Sequence, residues 1–579
     1  MDSEQKKIVL GVLAFVLFAW LISPFFFSTR EPDRVPRVIP LSFEASRACE
    51  TAIEFTNRFP NRDFGSLESR QSTGYIHDRL AELGYKVSYT HFDARIAGRQ
   101  QVGRNVMAFK QGQNTDIVVA VAHFDTARTT VRNAANDGSG VGVLLELARV
   151  FAGSQTRRSF LFLFSDGGEW GGIGARDIAE NFPDRDRVVV ALSLDYVVAG
   201  DLASFCLEET GQFKGFTPPW LRQLARGAAE AQGLSVIEAS GLQEHFERAL
   251  LISTNDQGPF LRAGIPAINL GSISADRPDE SVEDGVDTQA LKVSAQSLKI
   301  GSFEKYGNAA EHLLRALDAL PSIPSQSPGS FRLWGTRYLI PVLIPILHLI
   351  AFLPLAFIFG FHISNHRRRL NAIGVGRELL VSLATALPLL LIFFSISLAR
   401  ALRKIPLYSF YPPTAKDPVL ANPPWNVLGI ILGAALLTAA VCYIIGRFSV
   451  RDLPKPDYYA SKLTLLAMML VVVALAFLHN SYWAIAFLLL PSWIWALVGF
   501  SRTRTGQVIN GILILLAGTP YYAALGIYAG RLDIGWNFIW YQVLAYSSGL
   551  FATSSCLLGA AAVVLGIRFL AIQFRGSAS

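Results

Sequence analysis

Four short segments of the sequence carry side chains that could bind a metal ion or move a proton. Each segment follows an apolar run typical of a buried strand, or it opens a helix. A histidine with several carboxylates suits zinc or another divalent cation, and two ions bridged by one carboxylate form a recurrent hydrolytic device. The polar residues of these segments are His123 and Asp125, Asn136 and Asp137, Asp166 and Glu169, and Asp195. If the segments meet at one place, they predict a metal-dependent hydrolytic site.

The pattern around these segments predicts an α/β domain. Helix patterns at 44–58 and 67–83 precede strand patterns near 86–93 and 104–110, and strands alternate with helices from 116 to 197. Such alternation is typical of a three-layer domain with a central, mostly parallel sheet. Ligands bind beyond the carboxyl ends of the strands in these sheets, and the four polar segments stand at such ends.

The composition predicts that part of the chain lies in a lipid bilayer. A chain of 579 residues that is 51% hydrophobic is too long for one ordinary domain and too apolar for a wholly soluble protein. Residues 1–29 are predicted to form a signal-anchor helix, because the apolar run from Ile8 to Phe27 can cross a hydrocarbon core and lacks a convincing cleavage site. Residues 30–330 are predicted to be globular. Residues 331–579 are predicted to form an all-α transmembrane bundle of about seven helices, near 337–361, 375–398, 426–446, 462–479, 481–500, 507–529 and 537–567.

The basic residues predict how the chain is oriented. Arginines at 367–369, 447, 451, 502, 504, 568 and 575 fall in alternate loops and at the C-terminal end, which is typical of the cytoplasmic side. The loop at 399–425 is a minor exception. The globular domain is therefore predicted to be extracytoplasmic, periplasmic or lumenal, with both termini in the cytoplasm. The net charge of +7 is modest and concentrated beside apolar spans, so we assign no nucleic-acid partner.

Ionisable residues are few in the predicted spans. His348 and Arg377 are the main exceptions, and we expect both near span ends or in a helix interface. His245 has helical surroundings and is predicted to be a surface or packing residue. The bundle is therefore predicted to be an anchor that fixes the globular domain near a membrane partner.

The order of the motifs resembles the M28 metallopeptidases, which include zinc aminopeptidases, carboxypeptidases and glutaminyl-cyclase relatives. The resemblance covers roughly residues 45–318 and is carried by AHFDT, NDGSGVGVLLELAR, FLFSDGGEWGGIGA, LSLDY and NDQGPFLRAGIPAINL. It implies a zinc-exopeptidase-like α/β domain, one or two zinc ions if the site is competent, and a peptide or protein as substrate or ligand. An exterior domain of this kind followed by many spans also resembles the vacuolar and endoplasmic-reticulum membrane branch of the family.

Four positions match the functional residues that the resemblance implies. His123 matches a metal-ligand histidine, and Asp125 matches the carboxylate that orients it. Glu169 matches the second glutamate of the family's Glu-Glu pair, which is a metal ligand. Asp195 matches a terminal carboxylate ligand.

Other positions depart from the family pattern. Asn136 stands where the bridging aspartate is implied, and a neutral amide is a poor bridge between two cations, so Asp137 would replace it only if the loop is one residue shorter. Gly168 replaces the first glutamate, the general base. Glu283 stands in place of the last histidine ligand and could bind metal through its carboxylate. Asp166 is a candidate substitute for the base.

Two functions therefore remain open. The first is a membrane protein whose M28-like domain recognises a peptide terminus, or scaffolds a membrane complex, without hydrolysis. The losses favour it, because a positioned general base contributes roughly 10²–10⁴-fold in rate. The second is a divergent zinc exopeptidase that hydrolyses peptides at the outer face of the membrane. Its metal ligands would be His123, Asp137, Glu169, Asp195 and Glu283, with Asp125 and Asp166 in catalytic roles.

Overall fold

The computed structural model describes the chain from residue 3 to residue 574, with gaps. The described residues are 3–30, 40–96, 99–126, 134–195, 197, 200–275, 298–324, 330–335, 337–406, 418–449, 456–532, 535 and 537–574. The strands are β1 (Ser28–Arg30), β2 (Val87–Ile96), β3 (Arg99–Lys110), β4 (Ile117–His123), β5 (Ser159–Ser165), β6 (Val188–Leu194), β7 (Leu202–Glu208), β8 (Ser235–Ile237), β9 (Ala267–Ser274), β10 (Phe331–Trp334) and β11 (Arg337–Leu339).

The described part of the chain also forms twenty α-helices. They are α1 (Ser3–Phe26), α2 (Ala45–Arg58), α3 (Leu67–Glu82), α4 (Gly140–Ala152), α5 (Ile173–Asn181), α6 (Pro219–Glu230), α7 (Leu242–Leu250), α8 (Gln257–Arg262), α9 (Ile300–Ala319), α10 (Leu343–Ala351), α11 (Leu353–His366), α12 (Ala372–Ala401), α13 (Pro418–Ala421), α14 (Trp425–Ser449), α15 (Tyr458–His479), α16 (Ser481–Leu497), α17 (Arg504–Leu516), α18 (Thr519–Leu532), α19 (Asn537–Ser547) and α20 (Thr553–Gln573). Two short pieces matter for the site: a π-helix at Ala134–Ser139 and a 3₁₀-helix at Gly168–Trp170.

The central sheet has eight strands in the order β2-β3-β5-β4-β6-β9-β7-β8. Its middle strands β5, β4, β6 and β9 are parallel, while β2, β3 and β7 join by antiparallel pairs. The predicted class, an α/β domain with a central, mostly parallel sheet, is confirmed. The polar residues that follow β4, β5 and β6 consequently lie at the same edge of the sheet.

The buried β-branched run of β4 explains why helices cover both faces of the sheet. Val118 and Ala120 pack into a core with helices α2, α4 and α9. Ile117 and Val119 point to the opposite face and pack with α5 and α8. This alternation gives the three layers and holds β4, which ends at His123, rigidly at the centre.

A small second sheet lies between the globular domain and the apolar helices. Strand β11 pairs antiparallel with β1 and with β10, so that the end of α1 is tied to the chain just before α10. The sequence does not predict this sheet, since strands of three or four residues show no readable alternation. The region predicted as an all-helical bundle therefore begins with two strands.

Within the described part of the chain, six helical segments are long and apolar enough to cross a membrane. They are Ser3–Phe26, Leu343–Arg369, Ala372–Ala401, Trp425–Gly446, Tyr458–His479 and Thr553–Gln573. The pair Arg504–Leu516 and Thr519–Gly526 is bent by 49° and makes a seventh if it counts as one span. Two predicted spans differ. The span predicted at 481–500 is a helix of only 17 residues, and the one at 537–567 divides into α19 and α20, of which α20 is the candidate span.

Candidate functional site

His123 and Asp125 form the centre of the site at the end of β4. The Nδ1 atom of His123 lies 3.2 Å from Oδ1 of Asp125, whose side chain is fully buried. The same carboxylate accepts hydrogen bonds from the backbone N–H groups of Gly168 at 2.7 Å and Glu169 at 3.3 Å. Asp125 therefore joins the imidazole to the glycine-rich turn that follows β5.

That turn depends on glycine at its two ends. Gly167 and Gly171 have φ values of +79° and +81°, which a residue with a side chain rarely adopts. They reverse the backbone around the single turn Gly168–Trp170 and bring Glu169 beside the site. Glu169 is 8% exposed, and its charge acts on His123.

Asp137 approaches His123 from the π-helix that precedes α4. Its Oδ1 accepts a hydrogen bond from the N–H of Gly140 at 2.9 Å, and its Oδ2 lies 3.8 Å from Nε2 of His123. Oδ2 is buried and has no hydrogen-bond partner within the described part of the chain. The backbone of Asn136 belongs to the same turn, but its side chain lies outside the described part. The π-helix thus brings the carboxylate of Asp137 beside His123, although the family resemblance puts Asn136 at the position of the bridging ligand.

Asp195 and Asp256 add two further carboxylates. Asp195 follows β6, and its Oδ2 accepts a hydrogen bond from the side-chain amide of Asn269 at 3.4 Å. Asp256, which the sequence analysis did not propose as a ligand, precedes α8 and accepts a hydrogen bond from the Ser165 hydroxyl at 2.6 Å. The charges of both act on Asp137. Only the packing of α8 against β6 and β9 brings Asp256 here.

The side chains described so far form one carboxylate cluster: His123, Asp125, Asp137, Glu169, Asp195 and Asp256. Two other predicted residues do not join this cluster in the described structure. The carboxylate of Asp166 is buried and is held by the backbone N–H of Arg104 on β3, at 3.1 Å. The N–H of Asp166 donates to the side chain of Asn105 at 3.0 Å, so that this residue belongs to the contact with β3. Glu283 lies outside the described residues. The catalytic and ligand roles given to these residues stay predictions.

Arg62 is a buried cation that the sequence analysis did not place in the site. Its Nε donates to the carbonyl of Phe124 at 2.6 Å and its Nη1 to the carbonyl of Phe59 at 2.5 Å. Burial lowers its pKa to about 10, while the charges of Asp137 and Asp125 oppose that shift. The guanidinium is thus positive at neutral pH. No motif could have revealed it, because it lies in an irregular segment remote in sequence from the strand ends.

The cluster carries excess negative charge. Burial disfavours the charged form of His123, but the charge of Asp137 and the hydrogen bond to Asp125 raise its pKa well above the usual value. Burial also raises the pKa of Asp137 well above its usual value, and the nearby charges of Asp195 and Asp256 add to the shift. Burial raises the pKa of Asp256 to about 6, although His123 and Ser165 partly oppose it. A proton or a cation is therefore strongly favoured among these side chains.

Gly168 stands where a side chain cannot fit beside His123. A Cβ atom at this position would lie 2.3 Å from Cγ and 2.4 Å from Cβ of His123. Cβ and Cγ connect the imidazole ring to the backbone and cannot rotate out of the way, so the whole side chain of His123 would have to move. Its movement is opposed by the hydrogen bond to Asp125. His123 therefore occupies the volume that a side chain at position 168 would need.

Tyr306 of α9 holds the backbone at Asp195, where β6 ends. Its hydroxyl lies 2.6 Å from the carbonyl of Leu270 and 3.1 Å from that of Asp195, and the ring is fully buried. We expect Tyr306→Phe to lower the free energy of unfolding by roughly 1–3 kcal/mol, because it leaves a buried carbonyl without its donor. Thermal unfolding of the full chain measures this effect. Tyr89→Phe, at a surface position 36% exposed, is the control and should change stability little.

Comparison with known proteins identifies the domain that contains this cluster. Residues 105–297 match the sequence model of peptidase family M28. The chain contains an M28 peptidase family domain. Over 240 residues it is 24% identical to the alkaline phosphatase isozyme conversion protein of Escherichia coli (strain K12), which covers 37% of this chain and 68% of that protein. Over 98 residues it is 37% identical to transferrin receptor protein 2 of Rattus norvegicus, but this match covers 16% of the chain and only 11% of the receptor.

Solved structures of similar fold cover about half of the chain. The glutaminyl cyclase of Porphyromonas gingivalis is 21% identical and aligns over 48% of this chain and 99% of its own, with a TM-score of 0.41. The zinc aminopeptidase BSAP of Bacillus subtilis is 15% identical and aligns over 48% of this chain and 96% of its own, with a TM-score of 0.40.

The donor atoms of the M28 domain suit zinc in kind but do not assemble a complete site in the described structure. Imidazole and carboxylates are suitable ligands, and the unpartnered Oδ2 of Asp137 faces His123. However, no three His, Cys, Asp or Glu side chains among the described residues surround one point closely enough to hold a metal ion. Two donors do not make a zinc site, so we derive no chemical step through a metal.

Proposed function

We propose that the chain is a multi-pass membrane protein whose M28 domain binds a peptide or protein ligand without hydrolysing it. The proposal depends on the crowding at Gly168, where a Cβ would lie 2.3 Å from Cγ of His123. The family resemblance gives this position to the general base, which takes a proton from the attacking water. Without that base we expect hydrolysis to be slower by roughly 10²–10⁴-fold.

The charge of the cluster supports a particular ligand. The ammonium group of a peptide N-terminus is electrostatically complementary to this cluster, because its five carboxyl groups outnumber the two cationic side chains nearby, His123 and Arg62. The match to transferrin receptor protein 2 also supports a binding role, since that relative is named as a receptor. We propose the same role for this domain, alone or in a membrane complex.

The location is part of the proposal. The described part of the chain has six apolar helices of spanning length, or seven with the bent pair, and these are consistent with a protein embedded in a bilayer. The alternation of arginine-rich loops supports placing residues 30–330 outside the cytoplasm and both termini inside. A ligand would then approach from the periplasm or an organelle lumen.

A binding experiment tests the proposal with the full chain in lipid nanodiscs. We expect a fluorescent peptide with a free N-terminal amine to bind more tightly than the same peptide after N-acetylation. Asp137→Asn should weaken binding of the free-amine peptide about tenfold, the effect of losing one charge-assisted hydrogen bond. Asp186→Asn is the matched control, because the side chain of Asp186 is 97% exposed on the surface. Equal affinity for both peptides would refute recognition of the terminus.

One observation favours a second candidate, a divergent zinc exopeptidase. The buried and unpartnered Oδ2 of Asp137 lies beside His123, as a metal ligand would. Zinc content and release of an N-terminal residue from peptides decide between the candidates. We expect no chelator-sensitive release from the full chain. Turnover that disappears with chelator and in a His123→Ala variant would overturn the proposal and establish the peptidase.

A further inference from the structure

A cavity lies where the globular domain meets the apolar helices. Its volume is about 240 Å³, and it is bounded by the end of α1, by α7, by β10 and β11, and by the starts of α10 and α16. Its wall includes Trp20, His245, Leu333, Leu347, His348 and Tyr482. None of these residues belongs to the carboxylate cluster of the M28 domain.

The cavity lies at the ends of three apolar helices. Trp20 belongs to the last two turns of α1, Leu347 to the second turn of α10, and Tyr482 to the first turn of α16. The indole N–H of Trp20 donates to the carbonyl of Leu347 at 3.3 Å, which ties α1 to α10 beside the cavity. Tryptophan and tyrosine are enriched where apolar helices leave the hydrocarbon core. In a bilayer crossed by these helices, the cavity would be level with the boundary between acyl chains and headgroups.

Two buried polar atoms in the wall, Nε2 of His245 and the hydroxyl oxygen of Tyr482, have no hydrogen-bond partner within the described part of the chain. His348 is paired, since its Nδ1 lies 2.9 Å from the hydroxyl of Ser481. His245 is only 8% exposed, and its Nε2 has no hydrogen-bond partner within the described part of the chain. Its ring packs against those of Tyr482 and His348, with centroids 5.3 and 5.7 Å away. A buried nitrogen without a partner is costly, so a ligand oxygen that bonds to Nε2 would stabilise this arrangement.

The cavity is open to an apolar surface. Leu242 lines it and is 73% exposed, so the opening lies at this side chain. Phe25 and Phe26, which end α1 next to the cavity residue Pro24, are 73% and 75% exposed. Side chains of this size are rarely so exposed to water together. Acyl chains are the apolar medium available at this level of a membrane protein.

We propose that this cavity binds one acyl chain of a membrane lipid, with an oxygen of the lipid hydrogen-bonded to Nε2 of His245. The apolar wall accommodates the methylene groups, and the opening beside Leu242 lets the rest of the lipid remain in the bilayer. The inference is independent of whether the M28 domain hydrolyses peptides.

Photo-crosslinking of the full chain tests the inference. The protein is reconstituted in phosphatidylcholine vesicles that contain phosphatidylcholine with a diazirine on its acyl chain, and the labelled peptides are mapped by mass spectrometry. We expect label on the peptides that contain Trp20 and His245. Leu347→Trp should reduce that label about tenfold, because an indole excludes methylene groups that each contribute roughly a fourfold change in binding.

A matched variant on the same helix controls for general effects. Leu347 is 5% exposed and lines the cavity, whereas Leu349 is 60% exposed and does not. Leu349→Trp should therefore leave the label at Trp20 and His245 unchanged. Label on α14, where Ile430 is 72% exposed, reports that each variant is folded and inserted. If Leu347→Trp fails this check, Leu333→Trp fills the cavity from β10 instead.

Three results would overturn the inference. One is equal label at Trp20 and His245 in the wild type and a folded cavity-filling variant. Another is label on α14 of the wild type with none at the cavity. The third is crosslinking of the cavity residues to a second copy of the chain, which would mean that protein covers the opening.

Discussion

Gly168→Glu is expected to destabilise the M28 domain and to yield no peptidase. The new Cβ would lie 2.3 Å from Cγ of His123, and overpacking of this kind typically costs roughly 1–3 kcal/mol in the free energy of unfolding. The carboxylate would also enter a buried cluster that already contains Asp125, Asp137 and Glu169, so repulsion adds to this cost. Moving His123 aside to relieve the contact would break its pairing with Asp125. Thermal unfolding and a peptide-hydrolysis assay on the full chain measure the two effects.

Gly153→Glu is the matched control for this experiment. Gly153 ends α4 at an exposed position, and a Cβ there has no atom within 4 Å. The control should unfold like the wild type. If Gly168→Glu is as stable as Gly153→Glu, or gains chelator-sensitive hydrolysis, the crowding does not prevent a base at this position and the binding proposal loses its main support.

Arg222→Met is expected to cause a large loss of stability in a different part of the domain. Arg222 is 1% exposed and pairs with three buried carboxylates: Glu209 through Nη2, Glu244 at 3.3 Å through Nη1 and Glu238 at 3.9 Å through Nε. Removing one partner of a buried ion pair typically costs 3–5 kcal/mol, and here Glu209 loses Arg222 while Glu244 keeps its pair with Arg248. Arg185→Met, which breaks an exposed pair with Asp186, is the control and should cost about 0–1 kcal/mol. Chemical denaturation of both variants measures the difference.

The loss in Arg222→Met should depend on pH. Burial raises the pKa of Glu209 to about 8 even though Arg222 lowers it, and without Arg222 the pKa must be higher still. A carboxyl with a raised pKa in the folded state contributes stability in its neutral form, and this contribution is lost as pH rises through the folded pKa. The variant should therefore be closer to the wild type at pH 6 than at pH 9. An equal difference at both values would show that Glu209 does not carry the effect.

A network of ion pairs also stabilises the junction between the globular domain and the apolar helices; its members are Glu209, Arg222, Glu244 and Arg248. Glu244 and Arg248 lie on α7, and the side-chain amide of Asn480 donates to the carbonyl of Arg248 at 2.8 Å. Arg248 in turn donates to the carbonyl of Ser330, just before β10. The network therefore fixes α7, which carries His245 of the lipid cavity, against α16. We expect Arg222→Met to loosen this contact as well as the globular core.

The sequence by itself determined the elements of this protein and the order of its site residues. The α/β alternation is local, because strand and helix periods are set by neighbouring residues, and predicted boundaries such as 67–83 agree with the observed Leu67–Glu82 within a residue or two. The apolar length of the spans is likewise a local property, and the described residues contain six to seven candidate spans where about eight were predicted for the chain. The family resemblance implied that Asp125 orients His123, and the two side chains lie 3.2 Å apart in the structure.

Only the tertiary structure decided which of these residues meet. Asp137 approaches His123 because a π-turn places it there, and Asp166 faces β3. Asp256 comes from a motif in which it was not predicted to be a ligand, and Arg62 comes from a segment without a motif. The two-stranded start of the bundle and the cavity beside His245 also depend on contacts between segments far apart in sequence. Such contacts are set by the packing of whole elements, which no local period encodes. Position 168 depends on both the sequence and the tertiary structure. The sequence places a glycine there, and the packing of His123 leaves no room for a side chain.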